Sequence, residues 1–196
     1  VQGQRAASDW RDRVLHPSAR AVTAAAVLFA VDQLVYQQVG SFVPLQAPLD
    51  WTNHLLTTLF IAWALRPLID RTRILIALIA SVLIDADHIP GYLGSHVLTG
   101  GTPRPYTHSL ATAVVLLVVA ALRPAWRGRE LGAALGVLSH LWRDLAEPSG
   151  TGVALFWPVS DRAITTPPAV YLGSIAVLAL IALIRTVAFS RHDKGC

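Results

Sequence analysis

Residues 169–184 read AVYLGSIAVLALIALI, a run without one charged side chain. A helix needs roughly 20 predominantly apolar residues to cross a bilayer, and this run continues to Phe189 with Arg185 as its only charge. Five more apolar stretches lie upstream, and the six predicted spans are Ala19–Tyr36, Thr52–Ile69, Thr72–His88, Thr107–Leu122, Leu131–Leu145 and Ala169–Phe189. The second, third and fifth are short and end in polar residues, as expected of a bundle with a wet mouth.

Composition agrees. Of the 196 residues 54% are hydrophobic and 14% charged, with a mean hydropathy of +0.51. Soluble domains carry about 25% charged residues, so this chain lacks the polar surface to cover a water-facing globule. Thirteen Gly, 12 Pro and one Cys exclude collagen-like repeats, a low-complexity disordered chain and a disulfide scaffold. The net charge of +4 does not indicate nucleic acid, because the arginines cluster between apolar runs instead of lining one face. The expected fold is all-α: a polytopic bundle of about six transmembrane helices over residues 19–190. A basic cytoplasmic segment (residues 1–18) precedes it and a cytoplasmic tail (residues 191–196) follows.

Charge asymmetry predicts orientation. With the N-terminus inside and sides alternating, the inner segments hold Arg5, Arg11, Arg13, Arg20, Arg66, Arg71, Arg73, Arg123, Arg127, Arg129, Arg185, Arg191 and Lys194. The outer side keeps Arg104, Arg143 and Arg162. Such a bias follows the positive-inside rule and places both termini in the cytoplasm. Tyr36, Trp51, Tyr92, Tyr106, Trp157 and Tyr171 then fall near the outer interface, where amphipathic rings sit. Basic residues before the first apolar run resemble a signal peptide, but no small-residue cleavage site follows, so that span is read as retained. The stretch Gln4–Arg20 is expected against anionic lipid head groups or in solvent.

Ionisable groups within spans are costly and mark functional sites. His54 opens the second span, the third ends in DADH (Asp85, Ala86, Asp87, His88), His108 opens the fourth, and the fifth carries His140 and Asp144 near its end. Alternating spans bring all of these groups to one depth on the outer side. His140 and Asp144 at i, i+4 share a helix face, as do Asp85 and His88 at i, i+3. Asp87 points elsewhere on an ideal helix, but Pro90 and Gly91 end the helix there and can turn it inward. Neutral imidazoles with carboxylates favour zinc, with manganese or iron as alternatives. Seven groups exceed one four-coordinate ion, so either two ions bind or some of the seven act as supporting partners and general base. Proton relays and transport sites also gather Asp and His, and a purely structural metal would do so too.

Around this cluster, Asp32 lies one turn below the outer end of the first span, while His16, His96 and His192 are read as solvated. Arg143 and Glu147 are read as interface or ion-pair residues. Arg104 precedes His108 by four positions, placed either to grip an anionic group bidentately or to anchor a lipid head group. The segment Val153–Trp157 is a candidate lid.

His54, then Asp85–His88, then R-x-x-T-H-S at Arg104–Ser109, then H-x-x-x-D at His140–Asp144, then G-x-x-x-x-W-P-x-S-D-R at Gly152–Arg162 resembles the YdjM family of inner-membrane proteins. The resemblance covers approximately Thr52–Arg162 and departs from the pattern at Ile84, where family members carry proline. It implies a metal-dependent hydrolase with ligands among His54, Asp85, Asp87, His88, His108, His140 and Asp144. The LexA association attached to the family has no counterpart in these residues. Together, residues and resemblance predict an inner-membrane hydrolase of an ester or phosphoester, with one or two divalent ions (Zn2+, or Mn2+ or Fe2+) near the extracytoplasmic face. Asp85 or Asp87 is the expected base and Arg104 the anion-orienting group. The expected partners are membrane lipids and a lipid or lipid-linked substrate, and the rival reading is a metal- or proton-coupled transporter.

Overall fold

The computed structural model describes residues 17–39, 43–66, 68–147 and 151–192. Most of the basic N-terminal segment and the last four residues of the tail lie outside them. Among the described residues stand six helices and no strand. They are α1 (Ala19–Val39), α2 (Val43–Ala64), α3 (Arg71–Leu83), α4 (Leu110–Leu122), α5 (Arg127–Asp144) and α6 (Pro168–His192). Beyond Leu83 the chain tightens into a 3-10 segment, Ile84–His88, and closes with one helical turn, Ile89–Tyr92.

Local chemistry sets several of these boundaries. Asp70 caps α3, its extended backbone letting Oδ1 accept from Arg73 N at 2.9 Å, which satisfies one of the orphan N–H groups of a helix start. Thr107 and His108 lie before α4 instead of within it, because Ser109 stands at the cap position with extended backbone (φ −142°, ψ 162°). The second helix begins nine residues before the expected Thr52, at Val43. Asp50 therefore sits on the same helix as His54, one turn earlier.

The central helix is α5, which packs on α2, α3 and α4, while α1 and α6 pack on α2 from the other side. Val22, Phe29, Leu56, Phe60, Trp63, Tyr171 and Ile175 form the core between α1, α2 and α6. Ala113, Val137, Leu141, Leu145 and Val153 form a second one between α4, α5 and the last loop. Between α3 and α5 the contact is made by backbone: a Cβ on Gly132 would meet Arg73 O at 2.8 Å, and one on Gly136 would meet Ala77 O at 2.3 Å. Small residues of this kind let membrane helices approach where lipid offers no hydrophobic drive.

Six helices are expected to be spans, but among the described residues two are long and apolar enough to span a membrane on composition, Arg71–Tyr92 and Pro168–Ala188; Leu110–Leu122 is apolar but shorter. The reason lies in the chemistry that the others carry. Asp32 interrupts α1; Asp50, Asn53, His54, Thr57 and Thr58 occupy α2; Ser139, His140, Arg143 and Asp144 occupy α5. Their outward faces remain apolar, as Val27, Leu28, Val31 and Leu34 of α1 show by their exposure. Tyr171 departs from its expected interfacial place. It is buried, with its hydroxyl 2.6 Å from Thr57 Oγ1 and its ring beneath the Arg143 guanidinium.

Candidate metal centre

Four segments deliver all seven sequence-predicted groups to one cluster. His54 comes from α2 and His140 and Asp144 from α5; the 3-10 segment brings Asp85, Asp87 and His88, and the loop before α4 brings His108. The imidazoles of His54 and His140 stack with centroids 3.7 Å apart, and His108 lies edge-on to His140 at 4.9 Å and to His88 at 4.8 Å. The tightening at Ile84–His88 is what turns Asp87 inward, to 3.2 Å from His108 Nδ1 and 3.0 Å from His88 Nδ1.

Helix packing also fixes which ring nitrogen of each histidine is free. Gly132, Gly136 and His140 follow each other at four-residue steps along α5, facing Arg73, Ala77 and Ser81 of α3. The close approach made by the two glycines lets His140 Nδ1–H donate to Ser81 O at 2.7 Å. His108 Nδ1–H is likewise directed at Asp87 Oδ2. Both histidines therefore present a bare Nε2, a tautomer assigned from the hydrogen-bond network.

The two Nε2 atoms stand 3.0 Å apart. Asp85 Oδ1 lies 3.5 Å from His108 Nε2 and 3.4 Å from His140 Nε2, and Asp144 Oδ2 lies 3.6 Å and 3.1 Å from the same two atoms. With each imidazole proton on Nδ1, these four atoms turn lone pairs toward one another, a repulsion that a cation between them would relieve. A tetrahedral ion with bonds of about 2.0–2.2 Å spaces its ligand atoms roughly 3.3–3.6 Å apart. Three of the five separations fall at that spacing and the other two, 3.0 and 3.1 Å, are shorter, so His108, His140, Asp85 and Asp144 could hold a divalent ion after a small outward adjustment. Orphaned polar atoms agree: both ring nitrogens of His54, both oxygens of Asp144 and Asp85 Oδ2 are buried without a hydrogen bond.

Basic side chains frame the cluster. Arg104 Nη1 lies 3.1 Å from Asp144 Oδ2 and its Nη2 donates to Glu147 Oε2. Burial pulls the Arg104 pKa down, but Asp144 and Glu147 outweigh it and hold the guanidinium above its ordinary value. It is a fixed cation. Arg143, fully buried on α5, pairs with Asp50 Oδ1 at 3.2 Å. Asp32 is buried as an acceptor for Asn53, the neighbour of His54, and stands behind the cluster instead of in it. His96 is exposed, as expected.

The segment read as a candidate lid packs on the start of α4 and on the loop before it. Val153 bridges Ile164, Leu155 O accepts from Leu110 N at 2.9 Å, and Trp157 stacks on Tyr106 at 4.4 Å. On the opposite side Thr58 Oγ1 and Ser139 Oγ meet at 2.6 Å, both buried, and Phe60, Ile74 and Ala77 continue the packing below.

One contributor escaped the sequence reading. Asp50 Oδ2 lies 3.5 Å from His54 Nε2, and Asp50, His54 and Asp85 form one of three groups able to hold an ion among the described residues. Its signal was the D-x-x-x-H spacing of Asp50 and His54, the mirror of His140 and Asp144, hidden because the span was begun at Thr52.

No curated protein and no solved structure matches the chain. A family model does match, over residues 49–195, extending the resemblance through α6 and leaving α1 and the first six residues of α2 outside. With four of the five motifs gathered at one site within that stretch, the chain belongs to the family described as YdjM inner membrane protein.

Proposed function

We propose that this protein is a membrane-embedded, metal-dependent hydrolase of an ester or phosphoester, taking a lipid or lipid-linked substrate. The observation that carries the reading is the convergence of bare His108 and His140 Nε2 atoms with Asp85 and Asp144 oxygens near ion-ligand spacing. A divalent cation held there, zinc before manganese or iron, supplies Lewis acidity and an acidified water. The remaining roles fall to the chain. Asp87 Oδ2 accepts from His108 Nδ1–H and its Oδ1 lies 3.0 Å from His88 Nδ1, so it positions imidazoles. Asp85 keeps Oδ2 free of hydrogen bonds and is the proton acceptor. Arg104, a permanent cation whose Nε makes no hydrogen bond, orients an anionic group of the substrate.

Entry from the bilayer is supported by what surrounds the mouth. The partly exposed members of the cluster are Asp50, Asp85, Asp87 and His88. Trp51, Leu55, Leu83 and Ile89, their neighbours on the same two segments, are exposed and apolar. The arginines that would face the cytoplasm cluster at the opposite helix ends, where Arg185 donates to Arg66 O, which supports an extracytoplasmic site. The hydroxyl floor of Thr58 and Ser139, backed by Phe60 and Ile74, favours hydrolysis over transport, which needs a polar track to the other face.

The test uses the full chain in detergent with fluorogenic acyl-ester and phosphodiester probes, each made with a lipid tail and as a short soluble form. Chelator-sensitive turnover restored by Zn2+ or Mn2+, greater on a lipid-tailed probe and lost in His140→Ala and Asp144→Ala, is expected. Protein that binds no divalent metal, or that turns over no probe when loaded, refutes the reading.

A further inference from the structure

We infer that the centre holds two divalent cations, the second between Asp50 and His54, with the Asp144 carboxylate bridging the pair. This rests on the reading that the cluster binds metal and goes beyond it. The first argument is directional. A ring nitrogen offers its lone pair in the plane of the imidazole, and the His54 and His140 rings are parallel to within 9° with centroids 3.7 Å apart. Lone pairs in two parallel planes do not meet at one ion. They serve two positions separated by about the distance between the rings, and paired metal sites in hydrolytic enzymes are about 3.5–4 Å apart.

Asp144 shows how the two positions are joined. Its Oδ2 faces His140 Nε2 at 3.1 Å, on the side of the first position, and its Oδ1 faces His54 Nε2 at 3.5 Å. Asp50 Oδ2 lies 3.5 Å from the same His54 nitrogen, while Asp50 Oδ1 is held by Arg143 at 3.2 Å. Arg143 thus orients Asp50 so that one oxygen is left for the ion. His54 is wholly buried with neither ring nitrogen in a hydrogen bond, a state that a coordinating cation relieves.

Charge supplies the third argument. Asp50, Asp85, Asp87, Asp144 and Glu147 meet two guanidiniums, Arg104 and Arg143, while the imidazoles are neutral as ligands. Three negative charges remain, and unpaired buried charge is expensive. One divalent ion leaves one of them unbalanced.

The experiment strips the full-length protein in detergent with chelator, reloads it with Mn2+, counts bound metal by mass spectrometry and records its paramagnetic resonance spectrum. Two Mn2+ per chain with an exchange-coupled spectrum are expected in wild type. Asp50→Asn, nearly isosteric and chosen to keep the fold, and His54→Gln should each drop to one Mn2+ with an uncoupled six-line spectrum. One Mn2+ per chain in wild type, or two that persist coupled in both variants, overturns the inference while leaving the hydrolase reading standing. No bound Mn2+ and no bound Zn2+ in wild type overturns both.

Discussion

Replacing Gly136 by alanine tests the chain of causes from helix packing to metal ligation. The added Cβ would lie 2.3 Å from Ala77 O, 2.8 Å from Ala80 Cβ and 3.0 Å from Ser81 N. Two of these three atoms are backbone, so no side chain can swing aside. Ordinary contact begins near 3.4 Å, so α3 and α5 must part by about 1.1 Å at this point. Overpacking of this kind costs about 1–3 kcal/mol. The same displacement stretches the 2.7 Å bond from His140 Nδ1 to Ser81 O beyond hydrogen-bonding range, losing about 1 kcal/mol more. The expected total is about 2–4 kcal/mol of stability, from. Metal affinity should fall about 10–100-fold, the usual effect of losing the partner that fixes a ligating histidine. Gly173→Ala in α6, where a Cβ meets nothing within 4 Å, is the control and should be neutral or stabilising by about 0.5–1 kcal/mol. Thermal unfolding with and without Zn2+, with metal titration of each variant, reads both quantities. A Gly136→Ala protein as stable as wild type and binding metal equally well would refute the argument that backbone contact between α3 and α5 sets the His140 ligand.

Other perturbations separate the remaining roles. Asp87→Asn keeps the shape but removes the charged acceptor of His108 Nδ1–H, and should lower metal affinity about 10–100-fold in titrations while leaving helix content unchanged. Tyr171→Phe deletes the hydroxyl that meets Thr57; unfolding should report a loss of about 1 kcal/mol with metal content intact. Asp32→Asn retains an acceptor for Asn53, whereas Asp32→Leu leaves that buried amide short of a partner, so only the leucine variant should lose about 1–3 kcal/mol in the same assay. Arg104→Met should raise KM for an anionic probe more than for a neutral one at unchanged metal content, and an equal effect on both would remove its orienting role.

The helical class, the number of helices and the convergence of seven polar groups were all legible in the sequence, for one reason. Polar side chains in an apolar chain stand out, and alternating spans leave few ways to arrange them. What was not legible depended on packing. The hydropathy of α5 counts Ser139, His140, Arg143 and Asp144 against membrane insertion, yet all four are buried because neighbouring helices enclose them. Asp50 was missed because the start of α2 was placed by apolarity, while the backbone enters the helix at Val43 through a segment containing Pro44 and Pro48. The inward turn of Asp87 was foreseen from Pro90 and Gly91, but the 3-10 tightening that produces it begins earlier, at Ile84. The Ser81 carbonyl had no sequence signal at all, since any residue supplies one. Only the glycine steps along α5 make it reachable.

On the reading that the cluster binds a cation, fold and ion binding are one equilibrium in this protein. Asp50, Asp85 and Asp144 come from three segments and their carboxylates are crowded around His54 and His140. Without a cation the helices that carry them repel one another at this end, in a medium that screens the repulsion far less than water does. The opposing forces are the apolar contacts of Phe29, Phe60, Tyr171 and Ile175 and the backbone contact of α3 with α5. Both lie beside or below the cluster and hold the helices together whether or not the site is filled. Such an arrangement presets the ligands while leaving them underneutralised, so the free energy released on binding includes the relief of that repulsion. Tight ion binding and stability gained on loading therefore have a common origin, and a variant that weakens one through the carboxylates must weaken the other.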